Sequence, residues 1–389
     1  MVVQQQLAGH GKAPRVLVLT CGSQAPRADA SLASGDVAHG GLWGFARVLR
    51  VEHAIMRTQC VDMARGGAAV GAVAVLVDGS EAELAWGGGT RHVSRLRPCG
   101  AVNSSSAVGM LVHGVYAITG GLGGLGLRAA ALLAACGATG VLLSSRSGRV
   151  ARGGQGLDVQ LASLRASLRV LLPASDVADA VDATLLLSGM PVVGVLHAAG
   201  VLRDKMVRSM AADDIDFAFA SKATAASHMH MASAPCVLEA FGLFSSVAST
   251  FGNLGQGNYA AANAHMDTLA FSRRTHGVLG SSLQIPAVGG AGMGALTFDK
   301  QQLDAIGGIS LDEFAACLSL SITPSGTGTK RAQAPLAPSL LESMAAMAPG
   351  FFELRAHMPR ASVVTSTARP TCDSALAQAL SILTAAERR

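Results

Sequence analysis

The stretch Gly114-Val115-Tyr116-Ala117-Ile118-Thr119-Gly120-Gly121-Leu122-Gly123-Gly124-Leu125-Gly126 decides the fold. Its first half is a short apolar run containing β-branched residues, which suits a buried strand. Its second half is a glycine turn, and the Ala/Leu-rich run from Leu127 to Cys136 that follows reads as a helix. Strand, glycine-rich turn and helix in that order are the context of a dinucleotide-binding fingerprint. Glycines let the backbone approach a pyrophosphate, and the helix N-terminus adds unpaired N–H groups and the positive end of its dipole. The predicted cofactor turn is therefore Thr119, Gly120, Gly121, Leu122, Gly123, Gly124, Leu125 and Gly126.

Beyond this turn a second strand, Gly140-Val141-Leu142-Leu143-Ser144, is followed by strand candidates at Arg169 to Leu172, Val192 to His197, Phe241 to Ser245 and Ser282 to Ile285. Helical segments separate most of them. Alternating β and α elements with apolar strands predict a parallel sheet covered on both faces. In such a fold the end of the second strand selects the cofactor: a carboxylate there bonds the ribose 2′-OH, an arginine accommodates a 2′-phosphate. Ser144-Ser145-Arg146-Ser147 has no carboxylate. Arg146, flanked by Ser145 and Ser147, thus predicts NADPH. Asp176-Val177 follows the next strand, where the carboxylate either accepts a bond from the adenine amino group or caps the next helix. The small residues of His197-Ala198-Ala199-Gly200 would let the backbone lie against the cofactor. The histidine reads as packed rather than catalytic.

Upstream, Val16 to Thr20 reads as a strand. Gly41 to Glu52 reads as a helix, with Leu42, Phe45 and Leu49 at helical spacing, and Arg91 to Leu96 alternates like a strand. This region has no glycine-rich phosphate turn. From about Ile322 the composition shifts to Pro, Ser, Thr, Gly and Ala, a linker with helices near Leu340 to Met347 and Ser374 to Ala385.

Half of the 389 residues are hydrophobic and 14% are charged, enough apolar material for a sizeable core and against disorder of the whole chain. The net charge of +5 comes from 30 basic residues scattered among 25 acidic ones, a pattern without the clustering that nucleic acid requires. The seven cysteines are far apart and form no C-x-x-C pair, which argues against a disulfide framework or a metal site and for a reducing, cytoplasmic compartment. The uncharged stretch from Ala101 to Leu127 carries His113, serines and glycines, a poor bilayer helix, so no membrane span is expected.

Ser246 closes the run Phe241-Gly242-Leu243-Phe244-Ser245-Ser246, and Tyr259 follows in Gly255-Gln256-Gly257-Asn258-Tyr259-Ala260-Ala261-Ala262-Asn263. Tyr259 and Asn263 share a helix face at a spacing of four. Reducing a carbonyl needs a proton donor for the developing alkoxide, and a tyrosine serves if a cation stabilises its phenolate. Lys222 is the candidate cation, and Ser246 the hydroxyl that holds the substrate oxygen.

This set resembles the short-chain dehydrogenase/reductase superfamily, with one exchange. The usual Tyr-x-x-x-Lys has Asn263 in the last position, and the lysine lies upstream in Ser221-Lys222-Ala223-Thr224-Ala225-Ala226-Ser227-His228. That exchange is characteristic of the ketoreductase domains of modular polyketide synthases. Phe244 to Ser249, Gly255 to Asn263, Thr119 to Gly126, Leu143 to Gly148 and His197 to Leu202 are similar to that family almost residue by residue. Leu42 to Leu49 with Glu52-His53 looks like the family's structural subdomain. The resemblance implies an α/β chain with two Rossmann-like, doubly wound parallel-sheet subdomains. Residues 14–108 would be a truncated structural subdomain, 109–323 the catalytic NADPH-binding one, and 324–389 a linker leading towards a carrier protein.

It further implies reduction of a 3-oxoacyl thioester on an acyl carrier protein, with Tyr259, Ser246, Lys222 and Asn263 as the catalytic group. Lys222 and Tyr259 would also contact the cofactor, and other polyketide synthase domains would be partners. The family's Leu-Asp-Asp signature appears as Leu202-Arg203-Asp204, and Leu254 stands where a proline is frequent. Leu202, Asp204 and Leu254 are thus candidates for substrate and stereochemical control, with a lean to the D-3-hydroxy product. Ile285-Pro286-Ala287-Val288 replaces the family's Trp-Gly-x-Trp segment. A redox-inactive scaffold or epimerase and a free-standing reductase of small ketones are the alternative readings.

Overall fold

The computed structural model describes residues 15–24, 37–63, 81–87, 90–96, 112–292 (without 152 and 154), 294, 299–322 and 332–333. The two helices expected in the predicted linker lie outside the described residues, and residues 332–333 of that linker form instead a short strand paired with the main sheet, which a two-residue edge pairing leaves unmarked in composition. In the first region, strand β1 (Leu17–Cys21), helix α1 (Gly40–Glu52), β2 (Gln59–Met63), β3 (Glu83–Gly87) and β4 (Thr90–His92) follow one another. The sheet order is β1-β2-β3-β4, parallel except for the last pair. The strand expected over Arg91 to Leu96 is thus shorter and antiparallel, paired to β3.

The second region runs β5 (Val115–Thr119), α2 (Gly124–Ala135), β6 (Gly140–Ser144), α3 (Leu157–Ser167), β7 (Arg169–Leu171), α4 (Ala180–Ser188), β8 (Val192–His197), α5 (Ala212–Phe219) and α6 (Ala225–Ala232). It continues with β9 (Ala240–Ser246), α7 (Ala248–Phe251), α8 (Gly257–Thr275), β10 (Ser281–Ile285), α9 (Lys300–Ala305), α10 (Leu311–Ile322) and β11 (Ala332–Gln333). Its seven strands are all parallel, in the order β11-β10-β9-β8-β5-β6-β7. The chain winds outward in both directions from β5, so the crevice at the carboxyl end of β5 is the topological switch point.

Separate apolar layers cover the two faces of this sheet. One joins Leu127 and Leu133 of α2, Leu157 and Leu161 of α3, and Phe314 and Leu318 of α10. The other joins Leu186 of α4, Met229 of α6, and Met266 and Leu269 of α8.

Helix α1 lies where Leu42, Phe45 and Leu49 at helical spacing predict a helix, and it is buried on two sides. Trp43 and Ala46 pack with Cys60 of the first sheet, while Val48 and Leu49 join Tyr259 and Ala260 of α8 in one cluster. Leu42 is 45% exposed. The reason is close helix contact. A Cβ on Gly44 would lie 2.6 Å from the Ala260 carbonyl carbon and 2.8 Å from the Ala264 Cβ, and one on Gly40 2.6 Å from the Thr268 Cβ. Only a face without side chains lets the two backbones come this near. Gly44→Val is therefore expected to lower the free energy of unfolding by about 1–3 kcal/mol, the usual cost of overpacking. Urea titration measures it, and an unchanged midpoint would contradict the contact.

Candidate active site

The glycine turn is fastened to both neighbouring strands. Gly121 N donates to Ser144 O (3.1 Å) and Ala198 N to Thr119 O (2.9 Å). Gly120 has φ +64°, and a Cβ there would lie 2.6 Å from the backbone of Ala199. The turn and the Ala198–Gly200 segment thus form one cradle, and no side chain caps the start of α2. Thr119 and Leu122 are buried, so their side chains belong to the core and the backbone lines the cradle. A Cβ on Gly124 would lie 2.6 Å from Gly292 N, so the loop after β10 lies over the start of α2. In that loop Ile285 and Val288 are buried, and Val288 bridges to Ile309.

Beyond β6, Ser145 bridges to Ala174, and the Ser147 hydroxyl accepts from Arg149 N (3.3 Å). Arg146 is exposed, with no hydrogen bond or ion pair to any described residue. Asp179, not Asp176, caps α4, accepting from Val181 N (2.8 Å) and Asp182 N (3.0 Å). Asp176 is exposed, and Val177 is buried in the core. His197 is buried beneath the cradle. Its Nδ1 lies 2.6 Å from Thr119 Oγ1 and its Nε2 3.1 Å from the Lys222 carbonyl. A carbonyl only accepts, so Nε2 carries the proton and Nδ1 accepts from threonine. Burial and the nearby Lys222 charge push this imidazole down to about 3, so it stays neutral and ties the glycine turn to the lysine's helix.

Lys222 lies in a π-helical turn, Ala220–Thr224, between α5 and α6. Such turns redirect a side chain within a helix. Its stem runs along Gly200, where a Cβ would lie 2.7 Å from Lys222 Cε. Its ammonium donates to Phe244 O (3.0 Å) and lies 5.2 Å from the centre of the Tyr259 ring. Burial lowers Lys222 to about 7, against the opposing charge of Asp267. Burial pushes the Tyr259 phenol up, and the neighbouring Asn263 and Ser246 side chains act in the opposite direction. Ser246 Oγ accepts from Ala248 N (3.2 Å), which leaves its own proton for another acceptor. Asn263 is buried and donates to Tyr259 O (2.8 Å), and its Oδ1 is buried with no hydrogen-bond partner among the described residues. Lysine, tyrosine, serine and asparagine are thus brought together beside the cradle.

Leu202 and Asp204 lie on an exposed segment that pairs with the segment containing Leu254. Lys205 N donates to Gly255 O (2.7 Å) and Gln256 Nε2 to Asp204 Oδ2 (2.9 Å). Three supporting residues escaped sequence reasoning. Asn258 donates to Arg203 O (2.8 Å) and Asp214 O (2.9 Å). Asp267 accepts from Ser249, Ser282 and Gln284 at 2.6, 2.5 and 2.6 Å. Arg47 of α1 pairs with Glu83 (2.6 Å) and donates to Ser249 O. Burial alone would raise Glu83, but Arg47 and Arg50 outweigh it and hold the carboxyl at about 2. Asp267 had one available signal: it continues the Tyr259, Asn263 face by another four residues.

A glycine cradle at the switch point of a doubly wound sheet, with a buried lysine and a half-buried tyrosine at its mouth, defines the short-chain dehydrogenase/reductase class. Comparison narrows this. The family model described as KR domain matches residues 114–290. A structure titled "Structure of A-type Ketoreductases from Modular Polyketide Synthase" superimposes with a TM-score of 0.72 at 31% identity, covering 86% of this chain and 72% of that one. One titled "Structure of A1-type ketoreductase" gives 0.75 at 30%, covering 89% and 74%. Polyketide synthase GfsA of Streptomyces halstedii is 37% identical over 287 residues, 72% of this chain. One of the phenolphthiocerol/phthiocerol polyketide synthase polypeptides of Mycobacterium tuberculosis is 36% identical over 284 residues, 69% of this chain. This chain belongs to the ketoreductase domains of modular polyketide synthases, a family of oxidoreductases. It spans 4% and 15% of the lengths of those two synthase polypeptides. Among the described residues no helix is long and apolar enough to cross a membrane.

Proposed function

We propose that the chain reduces the 3-oxo group of an acyl thioester, carried by an acyl carrier protein, to the 3-hydroxy group, using NADPH. The observation that carries this reading is the buried Lys222 ammonium 5.2 Å from the Tyr259 ring, at the mouth of the glycine cradle. The cradle fits a dinucleotide: its glycine backbone and the uncapped start of α2 suit a pyrophosphate. Gly120 to Gly126 and Ala198 to Gly200 would hold the cofactor, with Ser145, Arg146 and Ser147 at the 2′-phosphate and Asp176 and Val177 beside the adenine. When bound, NADPH supplies a hydride to the β-carbon.

The chain's own groups do the rest. Ser246 donates its free proton to the substrate carbonyl oxygen and fixes its direction. Tyr259 transfers its phenolic proton to that oxygen as negative charge develops there. Lys222 stabilises the phenolate left behind, and the Asn263 amide holds the relay that restores its proton. Leu202, Asp204 and Leu254 border the substrate. Other polyketide synthase domains would deliver and receive the carrier.

Loss of NADPH absorbance with a 3-oxoacyl thioester tests the reading. Cofactor binding without consumption would replace it with a redox-inactive scaffold. Arg146→Ala is expected to raise KM for NADPH roughly 10- to 100-fold, the loss of one charge-assisted contact, with little change for NADH. Unaltered preference between the two cofactors would remove Arg146 from the phosphate site.

A further inference from the structure

Glu52 is the last residue of α1, and its side chain is entirely buried between two loops of the second region. One carboxylate oxygen accepts from Val207 N (2.7 Å) and the other from Gly255 N (3.0 Å). Those residues end the two segments that carry Leu202 and Asp204 on one side and Leu254 on the other. The segments also pair directly, Lys205 N donating to Gly255 O at 2.7 Å. The backbone of Gly255 is therefore held on both sides, its N–H donating to Glu52 and its C=O accepting from Lys205 N. Gly255 has φ +74°, and four residues later comes Tyr259. A carboxylate suits this place because it has two acceptor oxygens and no donor, matching two backbone N–H groups. The helix that presents it is locked to α8 through Gly44, and a Cβ on Gly252 would lie 2.8 Å from Arg47 O, so the 252–255 loop follows α1 closely.

We propose that Glu52 is a positioning residue for substrate selection: reaching from the first region, its carboxylate sets the spacing of the Leu202–Asp204 and Leu254–Gly255 segments on the substrate side of Tyr259. This rests on the reductase reading above. The first region then acts on the reaction itself, beyond bracing the second sheet.

The test is Glu52→Gln, nearly the same shape, which places an NH2 group against one of the two backbone donors. Expected are a KM for the thioester raised roughly 10-fold, kcat within about 3-fold, and a ratio of 3-hydroxy diastereomers shifted about 3-fold or more, as for loss of ground-state positioning. The NADPH dissociation constant stays unchanged, and amide exchange at Val207 and Gly255 quickens about 10-fold, the loss of one bond to a charged acceptor. Glu52→Asp, which keeps both oxygens, restores part of the ratio. Leu84→Ala, a cavity in the first sheet away from these segments, is the control for stability: it lowers Tm and leaves KM and the ratio alone. A diastereomer ratio and KM that do not move in Glu52→Gln, or that move equally in Leu84→Ala, overturn the proposal. If the wild type consumes no NADPH, the reductase reading falls. Exchange then decides the clamp by itself: faster exchange confined to 202–210 and 252–258 supports it, and unchanged protection sinks it.

Discussion

Tyr259→Phe is expected to lower kcat for thioester reduction roughly 10³-fold, within the range for loss of a positioned general acid. The ring, its packing with Val48 and Leu49 of α1, and the Lys222 contact survive the change; only the hydroxyl goes. Cofactor affinity should therefore stay within a few fold, since the cradle is backbone. Fluorescence titration with NADPH and single-turnover kinetics separate the two effects. Because burial holds the phenol above its ordinary value, it stays protonated through neutral pH and is ready to donate. A variant that keeps most of its turnover would assign the proton to another group.

Lys222→Met is expected to cost roughly 10² in kcat/KM, at the lower end for an acid–base partner, and to change the pH profile. In the folded chain Lys222 is lowered from an ordinary 10.5 to about 7, chiefly by burial, with Asp267 opposing. The ammonium that supports the phenolate is thus present below about pH 7 and lost above it. The wild-type kcat/KM should fall as pH rises through that value, while the tyrosine remains protonated. The methionine variant should lack this limb. The sign for stability is the reverse. Between about pH 7 and 10.5 the unfolded chain holds a proton that the folded chain has released, so stability rises with pH across that window. Lys222→Met removes the burial cost and should be the more stable protein below pH 7, the difference vanishing towards pH 10.5. Thermal melts at pH 6 and 10 measure this. A variant less stable at pH 6 than at pH 10, relative to wild type, would mean the lysine is not buried as a charge.

The Gly44→Val, Arg146→Ala and Glu52→Gln outcomes probe separate contacts. The first tests how α1 meets α8, the second the cofactor end of the crevice, the third the substrate end.

How much of this was legible differs by residue. The strand β8 (Val192–His197) is where the apolar run placed it, and β9 and β10 each begin one residue earlier, because a strand buried on both faces shows as a continuous apolar run. Tyr259 and Asn263 could be placed on one face because four residues make a helical turn. Lys222 could not be paired with them by any local spacing; the family resemblance supplied it, and its place in a π-helical turn had no sequence signal. Of the two readings open for Asp176, the helix cap falls to Asp179, since both aspartates are credible caps until the backbone shows which precedes the helix. In α1 the apolar spacing predicts the helix but not its packing against α8. The decisive face is made of glycines, and an absence of side chains carries no hydrophobic signal.

The amino-acid sequence by itself determined the alternation of strands and helices, the glycine cradle and the tyrosine face, all of which follow from interactions within a few residues. The tertiary structure decided the rest: that α1 packs on α8, that His197 joins the cradle to Lys222, and that Glu52 holds amides 155 and 203 residues away. The physical reason is range. A hydrogen bond between distant segments leaves no period or spacing in the chain, and it exists only once the sheet and its helices have brought donor and acceptor together.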